Sequence, residues 1–353
     1  AKIEGYARPR AHQRFAEPTR PTPLFTEERF VSRRAWIMFV CGVLIVLAAG
    51  GLRQSFGVFL KPVAIDLDIG RQIFGLVIAL QAVVFGLTQP VVGLAADRFG
   101  AARVVVVSGV LYALGLWFAS ASTGPVALYG SLGAMIGLAL AGTTHVVVLG
   151  ALGRVVSNER RSIVFGTVIA SGSLGMFLIV PMTQMGIDAY GWRDTFILCG
   201  IVMALVPLLA LPFIGDSPPA SEGPAQSVSE AVREARSHSG YILLTLGFFV
   251  CGFHVTFVGT HLPAFLADEN VSSDVASYAF ALIGLANIVG AYTFGALGDR
   301  YRKKNLLTYI YLGRAVVMAA ILIVPITDAT SVVFGLVFGV LWLGTVPLTS
   351  GIV

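Results

Sequence analysis

Long apolar stretches alternate with short polar ones along nearly the whole chain. A helix that crosses a membrane needs about 20 largely apolar residues. By that measure the pattern predicts ten spanning helices, at residues 35–60, 72–95, 102–122, 125–152, 162–186, 193–214, 241–267, 274–297, 304–326 and 330–353. This alternation predicts an all-α integral membrane protein with several spans.

Two longer polar stretches divide the chain. The first 34 residues carry seven arginines and four prolines and contain no apolar stretch, which predicts a disordered tail. Residues 215–240 are rich in proline, serine and alanine, and residues 229–236 within them have the pattern of a short amphipathic helix. We therefore expect a tail over 1–34, a six-helix bundle over 35–214, a linker over 215–240 and a second bundle over 241–353.

The composition supports a membrane protein. The chain is 56% hydrophobic and 12% charged, whereas a soluble domain carries about 25% charged residues. Cys41, Cys199 and Cys251 lie in apolar segments without paired spacing, so we interpret them as core residues and expect no metal and no cofactor. In a membrane protein the net charge of +5 reflects topology. We expect a lipid bilayer and no nucleic acid among its partners.

Positive charge in the loops predicts the orientation. If the N-terminus lies in the cytoplasm, 19 of the 24 lysines and arginines fall in the tail or in inside loops. The outside loops then hold only Lys61, Arg71 and Arg193. We expect a multi-pass protein of the inner cell membrane with a cytoplasmic N-terminus, tail and linker.

One loop motif occurs twice. The segment GLAADRFGAAR at Gly93–Arg103 returns as GALGDRYRKK at Gly295–Lys304, with matching residues 202 positions apart. Two copies at equivalent places indicate two equivalent halves with a site between them. A single copy is explained by a tight basic loop. Two copies favour a conformational latch, in which the aspartates hold neighbouring helix ends in one state only. The candidate latch residues are Gly93, Asp97, Arg98, Gly100, Arg103, Gly295, Asp299 and Arg300.

The repeated Gly-x-x-x-Asp-Arg pattern resembles the major facilitator superfamily. Within it, the segments Gly51–Pro62, Phe257–Asp268 and Leu341–Gly351 resemble the monocarboxylate-porter and oxalate/formate-antiporter branch. The resemblance implies two pseudo-symmetric bundles, alternating access, and a cavity lined by the first, fourth, seventh and tenth helices together with the second, fifth, eighth and eleventh. It also implies twelve helices, so we expect the second bundle to be truncated after four.

Ionisable residues at membrane depth are functional candidates. Every aspartate and glutamate falls outside the apolar segments or at their ends, whereas Arg53 and Arg314 lie deep inside. Arg53 either binds an anionic substrate bidentately or extends to the outer surface. For Arg314 we expect a structural bond to the carbonyls of a neighbouring helix. The excess of buried cations favours an anionic substrate.

Three histidines accompany these arginines at membrane depth. His254 and His261 are seven residues apart on one helical face, so they form either a proton or substrate relay or a pair of packing residues. His145 lies in the fourth helix, which the resemblance places at the cavity. Neutral polar residues complete the candidates. The predicted substrate-binding residues are Arg53, Gln54, His145, His261, Asn287 and Trp342.

These residues favour a carrier of small organic anions, mono- or dicarboxylates, that works as a monomer. Related porters tend to carry a charge in the eighth helix, where this chain has Asn287, so anion exchange or facilitated diffusion fits better than standard proton coupling. The alternative is efflux of lipophilic or drug-like compounds on the same fold. A sensor without transport would need a signalling domain. No catalytic motif is present in the sequence, so we do not expect an enzyme.

Overall fold

The computed structural model describes residues 33–215 and 228–350, and these contain helices and no strand. Most of the predicted tail and residues 216–227 of the predicted linker lie outside this description. Arg33 and Arg34, which we had placed in the tail, belong instead to the first helix. There Arg34 donates hydrogen bonds to the carbonyls of Pro212 and Ile214, which joins the start of the first helix to the segment around residue 213.

The first half of the chain forms six helices. α1 is Arg33–Asp66, α2 Arg71–Phe99, α3 Ala101–Ser120 and α4 Pro125–Val155, which is broken at Thr144. The segment Asn158–Ala204 divides at Gly191, whose φ of 79° is left-handed. This glycine separates α5, residues 158–190, from α6, residues 192–213.

The second half contributes four long helices behind a short amphipathic one at Val228–Ser237. α7 is Ser239–Asp268, α8 Ser273–Arg300 and α9 Lys303–Ile321. α10 comprises Asp328–Val340 and Thr345–Ser350, with non-helical residues between them.

The described helices confirm an all-α membrane fold. Eight spans are long and apolar enough to cross a membrane. One of them, Ile163–Phe213, contains both α5 and α6, and α9 is not among the eight. The prediction of about ten helices therefore agrees with the structure.

Glycines let the backbones of neighbouring helices approach closely, as is common in membranes. A side-chain carbon added at Gly51 of α1 would lie 2.6 Å from the Gly175 carbonyl oxygen of α5. One added at Gly284 of α8 would lie 2.7 Å from the Ser173 carbonyl oxygen, also of α5. α5 therefore packs on α1 within its own half and on α8 across to the other half.

α1 and α7 meet at a pair of equivalent glycines. A side-chain carbon at Gly57 would overlap the carbonyl oxygen of Gly259. These two residues are 202 positions apart, as Asp97 and Asp299 are. Two residues related by a two-fold axis can contact each other only beside that axis. The pseudo-two-fold axis between the halves therefore passes close to this contact.

Past this contact, an ion-pair cluster joins the halves at the end of α7. Asp268 accepts from both terminal nitrogens of Arg71, and the Lys61 ammonium lies 3.2 Å from its Oδ1. We call this end of the molecule the Asp268 face and the opposite end the motif face. Asp66, the equivalent residue of α1, pairs instead with Arg193 of its own half at 3.1 Å. The two aspartates therefore have different roles.

The glycine contact predicts an asymmetric response to alanine. Gly57→Ala places a carbon against a backbone oxygen and should lower the free energy of unfolding by about 1–3 kcal/mol. Gly259→Ala meets only Phe280 Cζ at 3.6 Å and should be neutral or stabilising. Thermal unfolding of both variants in detergent checks this, and equal stability of the two would contradict the contact.

We expect the ion pairs of Asp268 to stabilise the contact between the two halves at the Asp268 face. Asp268→Asn should weaken the contact by about 1 kcal/mol, or about fivefold in population, because the pairs are partly exposed. Maleimide labelling of a Thr256→Cys reporter in the cavity should then become faster. Asp66→Asn is the matched control, since its partner lies within one half. Equal labelling rates in both variants would show that Asp268 does not hold the halves together.

Candidate functional site

Arg53 lies in the middle of α1, where the two halves meet. It lines a cavity of about 30 Å³, together with residues of α1, α2 and α7. The cavity residues are Arg53, Gln54, Phe56, Gly57, Ile78, Gln81, Ala82, Val255, Thr256, Gly259 and Thr260. The Arg53 guanidinium carbon lies 4.7 Å from the centre of the Phe85 ring. In the described part of the chain it has neither a hydrogen bond nor a carboxylate partner.

Tyr112 of α3 places a hydroxyl group near this cation. The side chain is fully buried, and its hydroxyl has no hydrogen-bond partner among the described residues. It is close enough to Arg53 for the two groups to interact electrostatically. Leaving a buried hydroxyl unpaired costs about 1–3 kcal/mol. Such a cost beside an unpaired guanidinium is typical of a site that binds a ligand.

The break in α4 brings a third group to Arg53. Thr144 has an extended backbone, with φ −80° and ψ 167°, so a new helix of eleven residues starts at His145. The Gln89 amide nitrogen contacts the Thr144 hydroxyl at 3.3 Å. His145 is exposed although it lies within a spanning helix, and it interacts electrostatically with Arg53. The first N–H groups of a helix are free to bind anions.

Tyr112 of α3 and His145 of α4 therefore both interact electrostatically with Arg53 of α1. A guanidinium offers a planar fork of donors that matches a carboxylate, and a hydroxyl can donate to the same oxygen atoms. A cavity of about 30 Å³ holds a water molecule or two. A ligand larger than this therefore needs the halves to move apart around Arg53.

Two of the predicted binding residues are engaged in packing or hydrogen bonds. The Asn287 amide donates to Ser173 Oγ at 2.8 Å and accepts from the Leu343 N–H at 2.8 Å. It thereby joins α8 to α5 of the other half and to the break in α10. Trp342 is buried, with its ring 5.6 Å from that of Phe338.

Two others lie beside α1 and α2. Gln54 lines the cavity and donates to Met176 Sδ at 3.5 Å. His261 lies against α2, where a carbon added at Gly75 would be 3.5 Å from its Cε1. Its ring centre is 5.1 Å from that of Phe257 on the preceding turn.

Arg314 is fully buried in the second half. Its Nε donates to the Leu341 carbonyl at 2.9 Å, and its Nη2 donates to the Trp342 carbonyl. Both carbonyls belong to the break in α10. His254, the other residue of the proposed relay, interacts electrostatically with Arg314 and has a buried, unpaired Nδ1 in the described structure.

The repeated motif forms few contacts on its own face. Asp97 is 70% exposed and lies 3.9 Å from Arg154 of its own half. Arg98 lies over the Phe99 ring at 5.4 Å. Within the described residues, Asp299 has neither a hydrogen bond nor an ion pair.

The sequence analysis did not select Tyr112 as a binding residue. A tyrosine in an apolar segment is ordinarily a core residue, and its missing partner is visible only in three dimensions. One signal was nevertheless present in the sequence. The offset of 202 residues pairs Tyr112 with Arg314, the other arginine at membrane depth.

Comparison with known proteins agrees with this architecture. The sequence model of the Major Facilitator Superfamily matches residues 29–353. The uncharacterized MFS-type transporter YcxA of Bacillus subtilis is 23% identical, over 90% of this chain and 79% of its own. Human monocarboxylate transporter 11 is 27% identical, over 75% of this chain and 56% of its own.

Solved structures share the fold. A bacterial homolog of the human lysosomal transporter Spinster, in an inward-facing and unoccupied conformation, matches with a TM-score of 0.72 and 14% identity. It aligns over 91% of this chain and 75% of its own. The nucleoside transporter NupG matches with a TM-score of 0.73 and 13% identity, over 89% of this chain and 81% of its own.

The unpaired Tyr112 hydroxyl predicts an unusual effect on stability. Tyr112→Phe should leave the free energy of unfolding unchanged or raise it by about 1 kcal/mol, because it removes an unsatisfied buried group. Tyr311→Phe is the matched control, since its hydroxyl donates to the Gly247 carbonyl at 2.6 Å. That variant should lose about 0.5–1.5 kcal/mol. Chemical denaturation compares them, and a larger loss at Tyr112 would mean that its hydroxyl is bonded within the protein.

Proposed function

Since the chain belongs to the major facilitator superfamily, we propose that it carries small organic anions, mono- or dicarboxylates, across a membrane. Arg53 is the cation that binds them. The observation that carries this proposal is a partly exposed guanidinium at membrane depth, without a carboxylate partner in the described residues, near a buried hydroxyl without a hydrogen-bond partner. A carboxylate satisfies both groups at once, because each of its oxygens accepts hydrogen bonds.

The names of several relatives support the choice of substrate class. Human monocarboxylate transporter 11 and bovine monocarboxylate transporter 13 are 27% and 25% identical to this chain. The chain spans 56% and 61% of their lengths. The monocarboxylates in the names of these relatives support a carboxylate as the substrate proposed for this chain.

The contacts between the halves support alternating access. The halves are held together at the Asp268 face by Lys61, Arg71 and the Gly57–Gly259 contact. In the opposite state these contacts open, and the aspartates of the motif face, Asp97 and Asp299, form the latch. The basic residues near the motif support a cytoplasmic position for that face and for the N-terminus, with the Asp268 face outside.

The test is uptake of labelled carboxylates by liposomes that contain the full-length protein. A panel of mono- and dicarboxylates identifies the substrate, and Arg53→Gln should then abolish its uptake. Tyr112→Phe should retain uptake and raise the half-saturation concentration about tenfold, because one hydrogen bond to a charged group is lost. Arg236→Gln, at an exposed position of the short amphipathic helix, is the matched control and should transport normally.

The outcomes of this experiment distinguish the proposed role of Arg53 from the efflux alternative. Unchanged uptake in Arg53→Gln would exclude Arg53 as the anion-binding residue. If no carboxylate is taken up and the protein expels a lipophilic cation instead, the efflux alternative is correct. Loss of uptake in Arg236→Gln as well would mean that the charge effect is not specific to the site.

A further inference from the structure

The second half contains a counterpart of the Arg53 site. Arg314 stands 202 residues after Tyr112, and His254 stands next to the position equivalent to Arg53. In the first half the cation is on the first helix and its neutral partner on the third. In the second half the cation is on the third helix, α9, and its partner is on the first, α7. Each half therefore contains one arginine and one neutral partner on its first and third helices. The arginine is on the first helix in the first half and on the third helix in the second half.

The break in the fourth helix also recurs in the second half. α4 is interrupted at Thr144, and α10 is interrupted between Val340 and Thr345. With the offset of 202 residues, the two breaks fall at nearly the same place in their halves. Interrupted helices at corresponding positions of two halves are the best general indication of a binding site in a transporter.

The contacts of Arg314 leave one of its nitrogens unexplained. Nε and Nη2 donate to the carbonyls of Leu341 and Trp342, which fixes the break in α10. Nη1 is fully buried and has no partner in the described structure. A purely structural role accounts for the first two nitrogens and leaves two N–H groups of a buried cation unpaired, which is costly.

His254 adds a second unpaired group beside this cation. Its Nδ1 is buried without a partner, and the imidazole interacts electrostatically with Arg314. The neighbouring Tyr311 ring lies 5.4 Å from the Arg314 guanidinium carbon, but its hydroxyl is already bonded to Gly247. In the described residues no carboxylate lies within ion-pair distance of Arg314.

We propose that Arg314 Nη1 and His254 Nδ1 form a second anion-binding site, which takes a carboxylate between α7, α9 and the break in α10. One carboxylate oxygen accepts from the guanidinium and the other from the imidazole, so both buried groups are satisfied. The ligand class rests on the proposed function, whereas the site itself does not depend on Arg53. A transporter with one anion site in each half binds two carboxylates.

Bromide soaked into crystals of the full-length protein tests both sites at once. We expect one anomalous peak beside Arg53 and a second between Arg314 Nη1 and His254 Nδ1. The second peak should disappear in His254→Phe and persist in His254→Asn, whose side-chain amide nitrogen lies near the position of Nδ1. An excess of acetate should displace bromide from both places.

The outcomes separate this inference from the proposed function. A peak only at Arg53 overturns the second site and leaves the proposed function standing. A peak only at Arg314 supports the second site and contradicts the role of Arg53, and the absence of both peaks overturns both. Bromide that acetate does not displace from Arg314 would make the site specific for halides and overturn the carboxylate assignment. A peak that remains in His254→Phe would exclude His254 as a ligand.

Discussion

The backbone contact between Gly57 and Gly259 is the constraint on which the rest of the structure depends. With no side chains between them, α1 and α7 touch directly on the pseudo-two-fold axis. This brings the cavity residues of α1 and α7, among them Arg53 and Thr256, to the same depth and to opposite sides of one small space. It also brings the ends of α1 and α2 close enough to α7 for Lys61 and Arg71 to reach Asp268. A larger residue at Gly57 would push α1 and α7 apart. The cavity residues would then no longer face each other, and Lys61 and Arg71 would no longer reach Asp268.

The interior of the protein carries positive charge, and the lipid bilayer around it does not stabilise unpaired charge. Arg53 is compensated by an aromatic face and a nearby hydroxyl, and Arg314 by two carbonyls released where α10 unwinds. In both cases dipoles and quadrupoles replace a carboxylate. Such groups stabilise a cation only in part, so each arginine can still attract an anion. A permanent ion pair with aspartate or glutamate would remove that attraction.

Hydropathy and the repeated motif predicted much of the architecture. The ten apolar segments correspond to the observed helices because membrane thickness fixes helix length. The offset of 202 residues, taken from the matching glycine, aspartate and arginine of the repeated motif, also relates Gly57 to Gly259. It works because two copies of one fold keep their register.

Other features depend on contacts that no local pattern encodes. The sequence around Thr144 reads as one continuous apolar helix, so its break was not foreseen. The Tyr112 hydroxyl is unpaired because none of its described neighbours offers a hydrogen bond, and a tyrosine in the sequence does not reveal this. Asn287 stays a predicted substrate contact, and its amide bonds to Ser173 and Leu343, which are remote in sequence, could not be predicted from the local pattern.

The different partners of the two equivalent aspartates have a consequence for biosynthesis. Asp66 finds Arg193 within the first half, so that half completes this ion pair with residues that are all made before α7. Asp268 finds its partners in α1 and α2, which by then are already folded. The first half thus folds first and presents Lys61 and Arg71 to the second half. Asp268 can pair with both of them only when α7 docks in the correct register.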